Sequence, residues 1–175
     1  MKKNIVCLSL LLLFCGPVAH AGPSLAVSVG SGSDADIVQV SLITNRGFWS
    51  YQFQNGWTAK GYLDFSLAQI EGKLSGGNGG ILVAGVTPTL RFEAKTSPGF
   101  VEFGVGVHYF DEKTINASKS VGTHFEFGDL LGVGVKLGEK QQFEVGYRFI
   151  HYSNAGISAN NPGLDFHQLR LQVNF

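Results

Sequence analysis

His151 and Ser153 stand two residues apart in a stretch whose residues alternate apolar and polar, and Asp165 opens the next such stretch. Residues at i and i+2 of an extended strand share a face, so this imidazole and this hydroxyl are neighbours. A hydroxyl, an imidazole and a carboxylate near one another are the parts needed for acyl transfer. The histidine takes the hydroxyl proton, the carboxylate orients the histidine, and the oxygen attacks a carbonyl. The spacing alone is a weak motif, because a polar trio at a strand end also fits side chains that meet lipid headgroups. Other reactive side chains have smaller claims. His108 and His124 are expected to face an interior, in a packed polar network. His167 shares the face of Asp165 and reads as a headgroup contact or a reserve for the acid. No three histidines or carboxylates have metal-ligand spacing. The glycine-rich 71–80 loop has neither the Lys-Ser/Thr ending nor the following helix of a phosphate cradle.

The elements that must position the trio are strands. Phe143–Ser153 alternates with period 2, and so does 165–175. Phe143, Val145, Tyr147 and Phe149 share a face with His151 and Ser153. Leu169, Leu171 and Val173 share one with Asp165 and His167. Earlier stretches at 24–32, 36–45, 56–70, 81–94, 100–110 and 121–137 bring the count to eight strands. Pro88 predicts a bulge or an imperfect ladder, because it has no N–H to donate. A bulge is also expected near Gly128 and Asp129. The long 46–55 link carries Phe48, Trp49, Tyr51 and Phe53, which fits a girdle at a membrane interface or packing in a soluble barrel.

The fold class this predicts is all-β, an eight-stranded antiparallel transmembrane β-barrel. Short turns follow the fourth and sixth strands, whereas longer polar loops follow the third, fifth and seventh. That is the rhythm of an outer-membrane barrel. The second strand face is glycine-rich and carries Glu102, Lys136, Glu144, Arg148, Gln168 and Arg170, which suits an interior only wide enough for side chains. Both termini are expected on the periplasmic side, so the trio lies toward the outer leaflet. Residues 1–21 have a basic start, an apolar run too short to span a bilayer, and Ala19-His20-Ala21, a small-x-small cleavage pattern. They read as a signal peptide, with 22–175 as the barrel domain. Cys7 and Cys15 both lie in that leader, so the barrel has no disulfide and no thiolate. The leader also holds Lys2 and Lys3, two of thirteen basic residues set against thirteen acidic ones, which leaves a net charge near −2. Without a basic block, nucleic acid is excluded as a partner.

The stretch His151-Tyr-Ser-Asn-Ala-Gly-Ile-Ser-Ala-Asn-Asn-Pro-Gly-Leu-Asp165 closely resembles the signature of the lipid A 3-O-deacylase (PagL) family of Gram-negative outer membranes. The resemblance implies a serine esterase that removes the 3-O-linked acyl chain of lipid A in lipopolysaccharide, in the outer membrane and without a cofactor. It assigns the base to His151, the nucleophile to Ser153 and the acid to Asp165, where the family usually has glutamate. It also points to Asn154, Ala155, Gly156 and Asn161 as oxyanion or supporting residues. Homodimerisation is a further implication. A non-catalytic structural barrel of the outer membrane and a soluble lipid carrier are the competing readings.

Overall fold

The computed structural model describes residues 22–44, 47–73 and 80–175. The expected leader, 1–21, lies outside the described residues, as does the end of the second expected strand at Asn45. The strands are β1 (Ser24–Ser31), β2 (Ala35–Ile43), β3 (Trp49–Gln52), β4 (Trp57–Gly72), β5 (Ile81–Ala94), β6 (Gly99–Phe110), β7 (Thr114–Asn116), β8 (Lys119–Ser120), β9 (Phe125–Leu137), β10 (Phe143–Ser153) and β11 (Leu164–Val173). Eight of them form the wall. The pairings run antiparallel from β1 through β2, β4, β5, β6, β9 and β10 to β11, and β11 pairs back onto β1. Closure leaves the wall no free edge, which is what a sheet needs in order to cross lipid.

The additional strands refine the expected elements. The 46–55 link contains β3, which continues along the edge of β4 below the point where β2 leaves it: Ile43 is opposite Asp64, and Trp49 is opposite Gly61. The line breaks where the Phe48 ring covers Gly61, a place where a β-carbon would meet the ring at 2.7 Å. The loop after β6 folds into the β7–β8 hairpin, so the sixth wall strand begins at Phe125 rather than at Val121. The expected bulge near Gly128 and Asp129 is absent, since β9 keeps one register with β10 and one with β6 over its whole length. Gly128 instead leaves room for the His108 ring, whose Cε1 a β-carbon would meet at 2.6 Å. At Pro88 the β5–β6 ladder is interrupted between Val86 and Thr89 without a shift of register, the imperfect ladder that the missing N–H predicts.

Alternation sorts the side chains into two environments. Leu131, Val133, Val145, Leu169 and Leu171 are exposed on the outer face. The inner face has two storeys. Nearer the termini, Glu102 accepts hydrogen bonds from Arg91 and Arg148, Arg91 also reaches Glu144, and Arg148 also reaches Asp64. Nearer the long loops the filling is apolar, with Ile37, Ile70, Phe110, Ile150, Tyr152 and Phe166 among its members. Loops 111–124 and 154–163 lie at that end, and Gly22 N–H donates to Phe175 O at the other. The apolar storey therefore sits directly behind the outward-facing His151, Ser153 and Asp165. It holds their two strands firmly.

Candidate active site

Strand register brings the base and the acid together. His151 on β10 is the direct cross-strand partner of Asp165 on β11. Facing pairs on one side of a sheet have β-carbons about 5 Å apart, within reach of both side chains. His151 Nδ1 lies 2.6 Å from Asp165 Oδ1. An ionised carboxylate can only accept, so Nδ1–H is the donor and Nε2 is left as the basic nitrogen. Both groups are open to the outside, with side-chain exposures of 37% and 54%.

Ser153 lies two residues beyond His151 on the same outward face and is half-buried. Among the described residues no hydrogen bond joins the two side chains. Such contacts are commonly long in an empty site and shorten once substrate fills it.

The loop after Ser153 is organised by Asn154, which is fully buried. Its Oδ1 accepts from Gly156 N–H at 3.0 Å and Ser158 N–H at 3.3 Å. Its Nδ2 donates to Asn160 O, and its backbone N–H donates to Asn161 Oδ1, both at 2.9 Å. Ala155 and Gly156 both have positive φ, 52° and 80°, so the chain turns sharply just past the serine. Three of the four residues suggested as oxyanion or supporting groups thus join one network, with the Gly156 N–H engaged by Asn154. Asn161 Nδ2 and the Ala155 N–H have no partner among the described residues.

The remaining histidines separate clearly. His108 is buried inside, edge-on to Tyr152 with ring centroids 4.9 Å apart. His124 is not interior. It precedes β9, holds Phe110 O through Nδ1 at 2.7 Å, and stacks on Tyr109. His167 lies two rungs below the pair on the same face, opposite Phe149, and its Nδ1 is hydrogen-bonded to Tyr147 Oη, so it is committed elsewhere. One carboxylate escaped the sequence reading. Asp129 on β9 is the cross-strand partner of His151 on its other flank, exposed on the same outward face. A lone carboxylate between Phe127 and Leu131 on an apolar strand face was the available signal.

Comparison with known proteins places this arrangement. The sequence model of the family described as lipid A 3-O-deacylase (PagL) matches residues 38–174. A lipid A deacylase PagL of Bordetella bronchiseptica is 34% identical, with 100% of this chain and 98% of that protein covered. The chain belongs to the lipid A 3-O-deacylase (PagL) family. A second family relative, a lipid A deacylase PagL of Pseudomonas aeruginosa, is 27% identical over 90% of this chain and 96% of its own length. A crystal structure of the outer membrane enzyme PagL superposes with a TM-score of 0.75 at 24% identity, covering 87% of this chain and 99% of that one, and so shares the barrel fold. The family member described here is accordingly an ester hydrolase of the Gram-negative outer membrane.

Proposed function

We propose that His151, Ser153 and Asp165 carry out the deacylation of lipid A by this outer-membrane enzyme. The observation behind this reading is the 2.6 Å His151–Asp165 hydrogen bond, with Ser153 next along the same lipid-facing side of β10. His151 Nε2 takes the Ser153 proton while Oγ attacks the carbonyl carbon of the ester at the 3-position. The Ala155 N–H and Asn161 Nδ2, positioned by the Asn154 network and Gly156, stabilise the oxyanion. The imidazolium then protonates the departing sugar oxygen as the carbon–oxygen bond breaks. Water, deprotonated by the same nitrogen, releases the fatty acid from the acyl-serine and restores the hydroxyl. Asp165 remains ionised throughout and stabilises the imidazolium. No step calls on a cofactor.

A site on the outer face suits a substrate whose acyl chains lie in the leaflet, because the ester reaches the serine without the chains leaving the membrane. Residues 1–21 serve as the cleaved export signal in this reading, which their composition supports. The surrounding outer-membrane lipids and a second copy of the chain are its proposed partners, the latter on the family resemblance.

Mass spectrometry of lipid A from cells expressing the chain tests the reaction. Intact protein should remove one ester-linked chain, and a folded Ser153→Ala variant should remove none. Full activity in that variant would discard the serine mechanism.

A further inference from the structure

We infer that Gly163 is a positioning residue for the catalytic base: its missing side chain leaves the room in which the His151 ring lies against Asp165. The inference rests on the assignment of His151 as base. Gly163 is the last loop residue before β11 and has a φ of 66°. A β-carbon there would lie 2.7 Å from His151 Cε1, 3.5 Å from Nε2 and 3.6 Å from Nδ1. The edge of the ring that lies between its two nitrogens is therefore backed by Gly163. A contact of 2.7 Å is far inside van der Waals range, so any side chain must displace the ring, the backbone or both. Displacing the ring would disturb the Asp165 hydrogen bond and the approach to Ser153 together.

The backbone here has little freedom to yield. Leu164, the next residue, is buried in the apolar storey, and Asp165 is fixed by its pairing with His151. On the loop side, Asn161 accepts from Asn154 N–H, and Lys119 Nζ reaches Pro162 O at 3.5 Å while pairing with Asp34 at 3.2 Å. The wall that carries Gly163 is thus tied from both sides.

Positive φ alone makes Gly163→Ala costly, so the test has to separate backbone strain from ring displacement. Gly56 supplies the comparison: its φ is 84°, and a β-carbon there would meet nothing within 4 Å. Release of the 3-linked acyl chain from purified lipid A in detergent is measured for the parent, Gly56→Ala, Gly163→Ala, Gly163→Asn and Ser153→Ala. Asparagine tolerates the left-handed region better than alanine but still carries a β-carbon. Both Gly163 variants should lose about 100-fold in kcat with little change in KM, the scale expected for a catalytic group misplaced by about 1 Å. Gly56→Ala should match the parent. The second readout is a stability cycle in urea. The destabilisation caused by Gly163→Ala should shrink when His151 is also replaced by alanine, because the ring it collides with is gone. An active Ser153→Ala variant would overturn the serine reading itself. With that variant inactive, normal kcat in either Gly163 variant, or an additive cycle, would overturn the role of Gly163. A Gly163→Ala protein that does not fold alone but folds beside His151→Ala would support it, and failure to fold in both backgrounds would count against it.

Discussion

Asp165 stands where the family resemblance leads one to expect the longer glutamate, yet it reaches His151 at 2.6 Å. Reach is sufficient because the two residues are direct cross-strand partners, so the backbone supplies the proximity that a longer side chain would otherwise supply. Replacing Asp165 by asparagine keeps the shape and loses the charge that stabilises the imidazolium. A protease triad loses about 10⁴-fold from such a change, and the loss here should be smaller than that of Ser153→Ala but well above tenfold. Asp165→Glu should remain within roughly tenfold of the parent, about 1.4 kcal/mol in the barrier, since an exposed carboxylate has space to bend back toward the ring. Acyl-chain release from purified lipid A measures both, and a more active Asp165→Asn than Asp165→Glu would remove the charge from the account. The placement of the trio was legible in the sequence, because period-2 alternation puts His151 and Ser153 on one face and Asp165 at the start of the next strand, while the roles proposed for them came from the resemblance. Asp129 was not legible, because its position beside His151 depends on the β9–β10 register, which the 138–142 turn sets.

Strand β10 carries the proposed chemistry on one face and the packing that holds it still on the other. Glu144 and Arg148 point inward in the terminal half, and Ile150 and Tyr152 do so behind the site. Glu102 is the hub of the inward charges, accepting from Arg91 at 2.9 and 3.0 Å and from Arg148 at 2.7 Å, with Arg170 at 3.6 Å. Glu102→Gln leaves buried guanidinium groups short of an anion, and breaking a buried ion pair from one side costs about 3–5 kcal/mol. Lys73→Ala removes a rim contact to Asp36 at 3.4 Å and should cost less than about 1 kcal/mol. Urea unfolding of the refolded barrel compares the two, and equal losses would mean that the interior charges are not acting as a desolvated network. The eight wall strands were legible from alternation. β3 and the β7–β8 hairpin were not, since segments of two to four residues show no measurable period and are held by contacts distant in sequence. Thr114–Asn116 is tied down by Asn116 Nδ2 donating to Asp34 O, and Lys119 by its ion pair with Asp34.

At the scale of the molecule, polarity is inverted relative to a water-soluble barrel: charges lie inside and the outer wall is apolar. Around the end that carries the termini, Trp49, Tyr51, Phe53 and Phe92 form a run of ring contacts, with centroid separations from 4.9 to 6.5 Å. Aromatic rings prefer the boundary between hydrocarbon and water, so we read this run as the periplasmic rim of the barrel. In the orientation we propose, with the termini periplasmic, the candidate site at the opposite end lies near the outer headgroups, the depth at which an ester bond of lipid A is presented while its acyl chains continue into the leaflet. Leu131 lies between these limits. It is 59% exposed, faces outward at mid-strand and pairs with Phe103 and Phe149. Arginine at that depth must be drawn out of water, and in barrels it costs about 2–4 kcal/mol at the bilayer midplane but only about 0–1 kcal/mol near an interface. Leu131→Arg should therefore destabilise the barrel refolded in lipid bilayers by that larger amount. Phe125→Arg, at the outer end of the same strand and 62% exposed, should lose less. The measurement is reversible urea unfolding from vesicles, with heat-dependent gel mobility reporting the folded fraction. Exposure is nearly the same at the two positions, so only a depth-dependent solvent predicts the difference. Equal effects at 125 and 131 would place the midplane elsewhere on the wall, and with it the height at which the serine meets its substrate.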